Sequence, residues 1–445
     1  MFINIRTEYI SGIVCDKKGN FMAHNPDIYL LYEYMDKLSF TFRIKVRLTE
    51  AVDADVLKEA AQKAFERFPY FRVKVGLDTG GNFTLEPNEK PIAVLPEENK
   101  RIALGSPEVN EHLFVITYRN DSIWFSCSHA PCGSYGAMFW IKTTLFLYLS
   151  QKYGHLEPPA DLKLPGTPVA EGETFYPDVN ALPTDEPLIR YTGGDCNYAI
   201  GRMIKYLLNP FAKDDYYYEI EIPSKAFMDY AKSIDASPNS LLISMMYKAM
   251  TRFFKEKEGT HISGRLAADY RDDIGASGSY RDFVRFIHIR YEWDMKDDPL
   301  SKLNMVARGA NIAQNQPELS FERFRRLESV HREIDSKPDL KEKKKYASQN
   351  SAFRKDPRDA YTLSYVGQLG LGEMEKYIRS IYTITNGDLM LELNALTDHF
   401  NIAFQVVGKS REPLDRFLEV LDQEGIPCKV SGRKTRYLPR VILPK

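Results

Sequence analysis

One segment combines a titratable side chain with a backbone setting in which it could react. His129 follows the strand-like run Ser122–Cys127 and lies in a loop of small residues. That loop leads into an apolar run, Gly136–Tyr148, which is long enough for a buried helix. An imidazole at the end of a strand can accept a proton near neutral pH, and the small residues leave room for a ligand to reach it. A lone histidine is more often structural, so this candidate base needs support from the rest of the chain.

Two cysteines beside His129 permit other chemistry. Cys132 could form a nucleophilic Cys–His pair with the histidine. Cys127, His129 and Cys132 could also provide three metal ligands, but no fourth ligand follows at a useful spacing. We favour a third interpretation, in which both cysteines are small residues of the core.

Composition and charge limit the class of protein. The chain has 445 residues, 43% of them apolar, which favours two lobes with a large core and excludes a disordered or fibrous chain. Lysine and arginine number 60 against 61 acidic residues, so no charge excess indicates nucleic acid or an anionic membrane as a partner.

Residues 1–20 lack the apolar run of a signal peptide, and no stretch reaches the roughly 18 apolar residues of a membrane span. With five scattered cysteines, which suit a reducing compartment, the sequence predicts a cytoplasmic protein.

Hydrophobic periodicity predicts strands and helices in both halves. Residues 39–48 alternate as a strand, an aspartate within 51–55 caps a helix, and 70–75 form another strand. Residues 155–191 are rich in proline and glycine and are expected to connect the lobes. We therefore predict an N-terminal lobe at 1–205, which contains the His129 loop and this connection, and a C-terminal lobe at 206–445.

The second half shows the same mixture. The predicted elements are a strand at 216–222, a helix starting at Ser237, a strand–loop–strand at 264–293, a helical region at 319–345, paired strands at 390–396 and 401–407, and a helix at 412–424. Ser364–Gly367 is expected to be a loop. The spacing of Gly367, Gly370 and Gly372 matches no phosphate-binding pattern, so a turn is expected there.

The His129 segment resembles a motif of the coenzyme A-dependent acyltransferase superfamily, which includes condensation domains and bacterial alcohol acetyltransferases. That motif is a histidine, three residues, an aspartate and a glycine after a strand, followed by a helix that starts with glycine and alanine. Residues 129–137 match at His129, at the later Gly136-Ala137 pair and in the apolar helix. Four further segments resemble family elements in the family's order: residues 52–72, 237–250, 268–283 and 362–367.

The sequence departs from the motif at two places. Gly133 stands where the family has its aspartate, which in the family pairs with an arginine and holds the histidine loop in shape. Arg67 and Arg271 are the retained candidates for that arginine. Asp282 stands where the family's Arg-Asn-Phe element has asparagine. Either another group supports the loop, or the activity is impaired, or the protein has a different role.

The resemblance implies a fold and an activity. The fold would be α/β (α+β), with two chloramphenicol-acetyltransferase-like lobes, each a mixed sheet with flanking helices, around a central cleft or tunnel. The activity would be acyl transfer from coenzyme A or carrier-bound pantetheine to a small alcohol or amine, with no bound cofactor and His129 as general base. Ser134, Tyr135, Ser364 and Tyr365 would contact substrate. The alternative is a non-catalytic condensation-like binding module that lost the motif aspartate.

Overall fold

A computed structural model describes most of the chain. The described residues are 9–10, 13–14, 26–33, 40–187, 215–254, 261–350, 359–387, 389–406 and 410–444. The boundary predicted between residues 205 and 206 lies outside them, as do Cys15 and Cys196.

The longer strands and the helices are numbered in chain order. The strands are β1 (Thr41–Leu48), β2 (Val73–Leu77), β3 (Phe83–Pro87), β4 (Val94–Pro96), β5 (Phe114–Arg119), β6 (Ser122–Ser128), β7 (Tyr216–Pro223), β8 (His261–Asp269), β9 (Val284–Glu292), β10 (Tyr361–Gln368), β11 (Ile378–Ile384), β12 (Met390–Ala395) and β13 (His399–Val406). The helices are α1 (Ala54–Arg67), α2 (Ser134–Tyr153), α3 (Ser224–Ser233), α4 (Pro238–Phe253), α5 (Leu300–Gln314), α6 (Pro317–Asp335), α7 (Leu340–Asn350) and α8 (Glu412–Gln423). Two-residue strands lie at Tyr9–Ile10, Ile13–Val14, Ala103–Leu104, Lys429–Val430, Lys434–Thr435 and Arg440–Val441.

The first sheet carries the His129 loop at the end of one of its central strands. Its strand order is β11, β1, β6, β5, β4, with β4 parallel to β5 and the other pairs antiparallel. Helix α2 lies against this sheet, and most of its apolar residues are buried. The ring of Trp140 contacts Phe65 of α1, Phe114 of β5 and Phe125 of β6 in edge-to-face geometry.

The second sheet is larger and is also mixed. Its order is β9, β8, β10, β12, β13, β7 and then Lys429–Val430, and Lys434–Thr435 also pairs with β7. The pairs β8–β10 and β10–β12 are parallel. Helices α4, α5 and α8 bury their apolar residues against this sheet in a second core. Two mixed sheets with flanking helices confirm the predicted fold class.

One strand from the C-terminal half joins the N-terminal sheet. β11 pairs antiparallel with β1, although the strands before and after it in the chain belong to the second sheet. Beside it, the Lys45 ammonium on β1 pairs with the Glu219 carboxylate on β7 at 2.8 Å, and both side chains are about a tenth exposed. The two sheets are therefore fastened by a shared strand and by a buried ion pair.

Local sequence explains where the best-defined helices begin. The Asp53 carboxylate accepts hydrogen bonds from the backbone N–H groups of Asp55 and Val56, both at 3.1 Å, and caps α1 as predicted. Ser237 and Ser240 form a capping box before α4, where Pro238 occupies the first turn.

Three sequence predictions need correction. The strand predicted at 70–75 begins only at Val73, because Pro69–Phe71 form a short 3-10 helix. Residues 364–367 lie within strand β10 and not in a loop, but the pairing register shifts between Tyr365 and Gln368, where Gly367 has a φ of +82°. The polar, glycine-containing sequence that indicated a loop therefore reflects an irregularity inside the strand. The helical region at 319–345 is two helices, α6 and α7, which a break after Asp335 separates.

Candidate active site

Backbone contacts hold the His129 loop between β6 and α2. The backbone N–H of His129 donates to the Phe40 carbonyl at 2.8 Å, which continues the β1–β6 pairing by one step. The Tyr70 hydroxyl donates to the Pro131 carbonyl at 2.6 Å. The loop is thus fixed at both ends without use of the imidazole, which leaves the ring available for chemistry.

The imidazole lies at the junction of the two halves. Its ring is 4.7 Å from the ring of Phe42 on β1, and its Nδ1 is 3.7 Å from Oδ2 of Asp282, which belongs to the segment between β8 and β9. The side chain is 22% exposed. Burial lowers the pKa of His129 below its ordinary value, and the Asp282 carboxylate acts in the opposite direction. The ring is therefore neutral at physiological pH, the state that a general base requires.

The segment between β8 and β9 covers the start of α2. An ideal Cβ placed on Gly136 would lie 1.8 Å from the Tyr280 carbonyl oxygen and 2.8 Å from its carbon, so only glycine allows this approach of two backbones. Tyr280 is itself fixed, because its backbone N–H donates to the Glu173 carbonyl at 2.8 Å and its hydroxyl donates to the Glu173 carboxylate. The Gly136-Ala137 pair thus marks close packing between the two halves.

Substitution of Gly136 by alanine is expected to destabilise the protein by about 1–3 kcal/mol, because a backbone carbonyl cannot move aside as a side chain can. The measurement is urea unfolding of the variant beside Gly309→Ala. Gly309 lies in α5 with nothing within 4 Å of its ideal Cβ, and its replacement should be neutral or stabilising by up to about 1 kcal/mol. Equal stability of the two variants would contradict the close packing.

Gly133 and Asp282 face each other. The ideal Cβ of Gly133 lies 2.8 Å from Oδ1 and 3.0 Å from Cγ of Asp282, so the Asp282 carboxylate occupies the space that a side chain at position 133 would need. Gly133 is also the N-cap residue of α2. The two departures from the family motif are therefore neighbours in space.

The two arginines suggested as partners of the motif aspartate bind elsewhere. The Arg67 guanidinium forms two hydrogen bonds with the Glu173 carboxylate, at 2.8 and 3.0 Å, and the Lys163 ammonium reaches the same carboxylate at 2.7 Å. Arg271 pairs with Asp269 and donates to the Arg281 carbonyl at 2.9 Å. Arg67 therefore connects α1 to residue 173 of the proline- and glycine-rich connection. Arg271 stabilises the segment between β8 and β9, which carries Asp282.

Comparison with solved structures identifies the architecture, whereas no family model and no curated protein matches the sequence. F. graminearum TRI101, solved with coenzyme A and T-2 mycotoxin, superposes with a TM-score of 0.55 at 11% identity, over 90% of this chain and 98% of that one. The first condensation domain of the calcium-dependent antibiotic synthetase, in complex with a substrate analogue, gives a TM-score of 0.57 at 11% identity, over 91% and 96%. Polyketide synthase associated protein 5 from Mycobacterium tuberculosis gives 0.53 at 10% identity, over 90% and 95%. This chain therefore shares its fold with TRI101 and with the condensation domain.

Ser134 and Tyr135 begin helix α2 next to the His129 loop. Ser134 is half-buried, whereas Tyr135 is 38% exposed. The Arg271 guanidinium lies 4.1 Å from the centre of the Tyr135 ring, and Phe139 packs edge-on against that ring. Both predicted contact residues therefore lie in the first turn of α2, which directly follows the His129 loop.

Ser364 and Tyr365 lie on β10 in the second sheet, both half-buried. No hydrogen bond or ring contact joins either residue to His129 in the described part of the chain. Ser364 instead pairs in register with Glu392 of β12. Burial raises the pKa of Glu392 to about 7, against hydrogen bonds from Ser364 and Thr385 that lower it. Sequence reasoning missed Glu392, although an acidic residue inside an apolar strand was a usable signal.

The side chains of both cysteines beside His129 are buried. Burial raises the pKa of Cys127 well above its ordinary value, so its sulfur is a thiol and a poor nucleophile or metal ligand at neutral pH. Cys132 is fully buried. Over the described ranges of the chain, no group of three or more His, Cys, Asp or Glu side chains is arranged to hold a metal ion.

Among the helices that the structure describes, none combines the length and the apolar character needed to cross a bilayer.

Proposed function

We propose that this protein transfers an acyl group from a thioester to the hydroxyl or amine of a small molecule, with His129 as general base. The observation that carries the proposal is the neutral, partly exposed imidazole of His129 at the junction of the two halves. The fold supports it, because TRI101 was solved with coenzyme A and TRI3 is a trichothecene 15-O-acetyltransferase.

The geometry supports a separate role for each ring nitrogen. Nδ1 is the nitrogen near Asp282, and a carboxylate 3.7 Å away favours a hydrogen on Nδ1. The lone pair of Nε2 then accepts the proton of the acceptor as its oxygen or nitrogen attacks the thioester carbon. A carbon–oxygen or carbon–nitrogen bond forms, the carbon–sulfur bond breaks, and the proton passes from Nε2 to the leaving thiolate. Direct transfer needs no acyl-enzyme intermediate.

The oxyanion of the tetrahedral intermediate needs a donor, and we propose the Ser364 hydroxyl. The Asp282 carboxylate lies beside the N-terminus of α2 and would repel an oxyanion bound at Ser134 or Tyr135. Ser364 hydrogen-bonds with Glu392, whose pKa burial raises to about 7. When Glu392 is protonated it can donate to the Ser364 oxygen, which leaves the Ser364 hydrogen for the oxyanion. Tyr365, the next residue of β10, points to the opposite face of the strand and packs against Phe400 in the second core, so we propose no role for it at the oxyanion.

The donor is coenzyme A or a carrier-bound pantetheine, since both present the same thioester on the same arm. Purified protein is to be incubated with acyl-coenzyme A and with acyl-pantetheine on a carrier protein, each with a panel of alcohols and amines. Free thiol and acylated product are measured together. We expect thiol release that depends on the acceptor and equals the product formed. Thiol release without acceptor, or none with any pair, would contradict the proposal.

A further inference from the structure

We propose that Asp282 is the positioning residue of His129 and takes over, from the other half of the chain, the place of the carboxylate missing at position 133. This inference rests on the proposed function of His129. It assigns Asp282 no contact with substrate, only the support of the imidazole and of the loop that carries it.

The first argument is complementary size. The Asp282 carboxylate approaches the ideal Cβ position of Gly133 to 2.8 Å, a distance that real Cβ atoms do not tolerate. Glycine at 133 therefore leaves room for the Asp282 carboxylate beside the His129 loop, whereas a larger residue at 133 would displace the carboxylate. The carboxylate has changed its place in the sequence while staying beside the same loop.

The second argument is charge. Asp282 is the charged group whose field acts on the His129 ring, across 3.7 Å, and it raises the pKa of a ring that burial lowers. When His129 takes up a proton during turnover, the same carboxylate stabilises the imidazolium. Its negative charge also lies beside Gly133, the N-cap of α2, where the helix dipole favours an anion and where glycine offers no capping side chain.

The third argument is rigidity. Asp282 lies between two buried residues, Arg281 and Phe283, and each of them forms a hydrogen bond with a backbone group of another segment. Arg281 donates from Nε to the Thr174 carbonyl at 3.0 Å, and the Phe283 carbonyl accepts the backbone N–H of Tyr270 at 2.9 Å. A carboxylate anchored on both sides can orient an imidazole, whereas one on a free loop could not. Catalysis then depends on the alignment of the two halves.

The test is a reciprocal exchange. Asp282→Asn keeps the shape and removes the charge, Gly133→Asp crowds two carboxylates, and Gly133→Asp/Asp282→Gly moves the carboxylate to the family's position. We expect Asp282→Asn to lower kcat by roughly 10- to 100-fold, with KM little changed. This is less than the loss at a directly hydrogen-bonded triad aspartate, because 3.7 Å is longer than a hydrogen bond. Gly133→Asp should lower both kcat and the unfolding temperature, and the double variant should recover most of the loss.

A readout that needs no turnover separates this inference from the proposed function. The pKa of His129, followed by NMR of the labelled imidazole, should fall in Asp282→Asn because the opposing carboxylate charge is gone. An unchanged His129 pKa, or a double variant no better than Gly133→Asp alone, would overturn the inference. Turnover that survives His129→Ala would overturn the proposed function. The NMR titration would still decide whether Asp282 acts on His129.

Discussion

Replacement of His129 by alanine is expected to lower the rate of acyl transfer by about 10²- to 10⁴-fold, the usual contribution of a positioned general base. Thermal unfolding should change little, because the loop is held through its backbone and the ring is 22% exposed. The measurement is kcat of thiol release beside the unfolding midpoint.

His155→Ala is the matched control for this variant. The His155 side chain is 83% exposed and pairs only with the nearby Glu157 at the surface, so its loss should change neither quantity. If His129→Ala instead cost about 1–3 kcal/mol of stability and the folded fraction kept its turnover, the histidine would be structural.

Replacement of Arg67 by methionine is expected to cost about 3–5 kcal/mol of stability, the largest loss we predict. It would leave the Glu173 carboxylate, 4% exposed, without its bidentate partner in the core. Urea unfolding at neutral pH measures the loss. The pKa of Glu173 is lowered to about 2 by its bonds to Arg67, Lys163 and Tyr280, although burial raises it. The stability that ionised Glu173 contributes is therefore complete above about pH 4.5 and is lost as the pH falls towards 2.

An exposed ion pair provides the control. Lys63 and Glu59 pair on the surface of α1 with side chains about half exposed, so Lys63→Met should cost less than about 0.5 kcal/mol. Adding Glu173→Gln to Arg67→Met should return part of the loss, because the buried charge that has lost its arginine partner is removed. A loss no larger than that of Lys63→Met would show that the cluster around Glu173 is not important for stability.

The sequence contained enough to predict most elements of the fold. Alternation and helical periodicity located β1, α1 and the β5–β6 pair, because each buries a regular apolar pattern and has a clear start or turn. A continuous apolar run located α2. Strand β11 could not be assigned to the first sheet by such reasoning. Its pairing with β1 joins distant parts of the chain, and the periodicity of a strand does not indicate which other strand it pairs with.

The candidate site was predicted only in part. His129 and the start of α2 were accessible because strand, loop and helix are contiguous in the sequence. The pairing of Gly133 with Asp282 was not, since each residue was noticed as a separate departure and only the packing of two distant segments brings them together. Similarly, the neighbourhood of Ser364 depends on the register of β10 with β12, which no local pattern specifies.

The most direct test of the central claim compares two titrations of the same imidazole. The pH dependence of kcat/KM is measured on the wild-type protein, and the pKa of His129 is measured by NMR under the same conditions. Because burial lowers that pKa, we predict that the rate rises with pH to a plateau and that its midpoint lies below about 6.5 and coincides with the NMR value. A rate that stays constant while His129 titrates would contradict the claim that His129 is the general base.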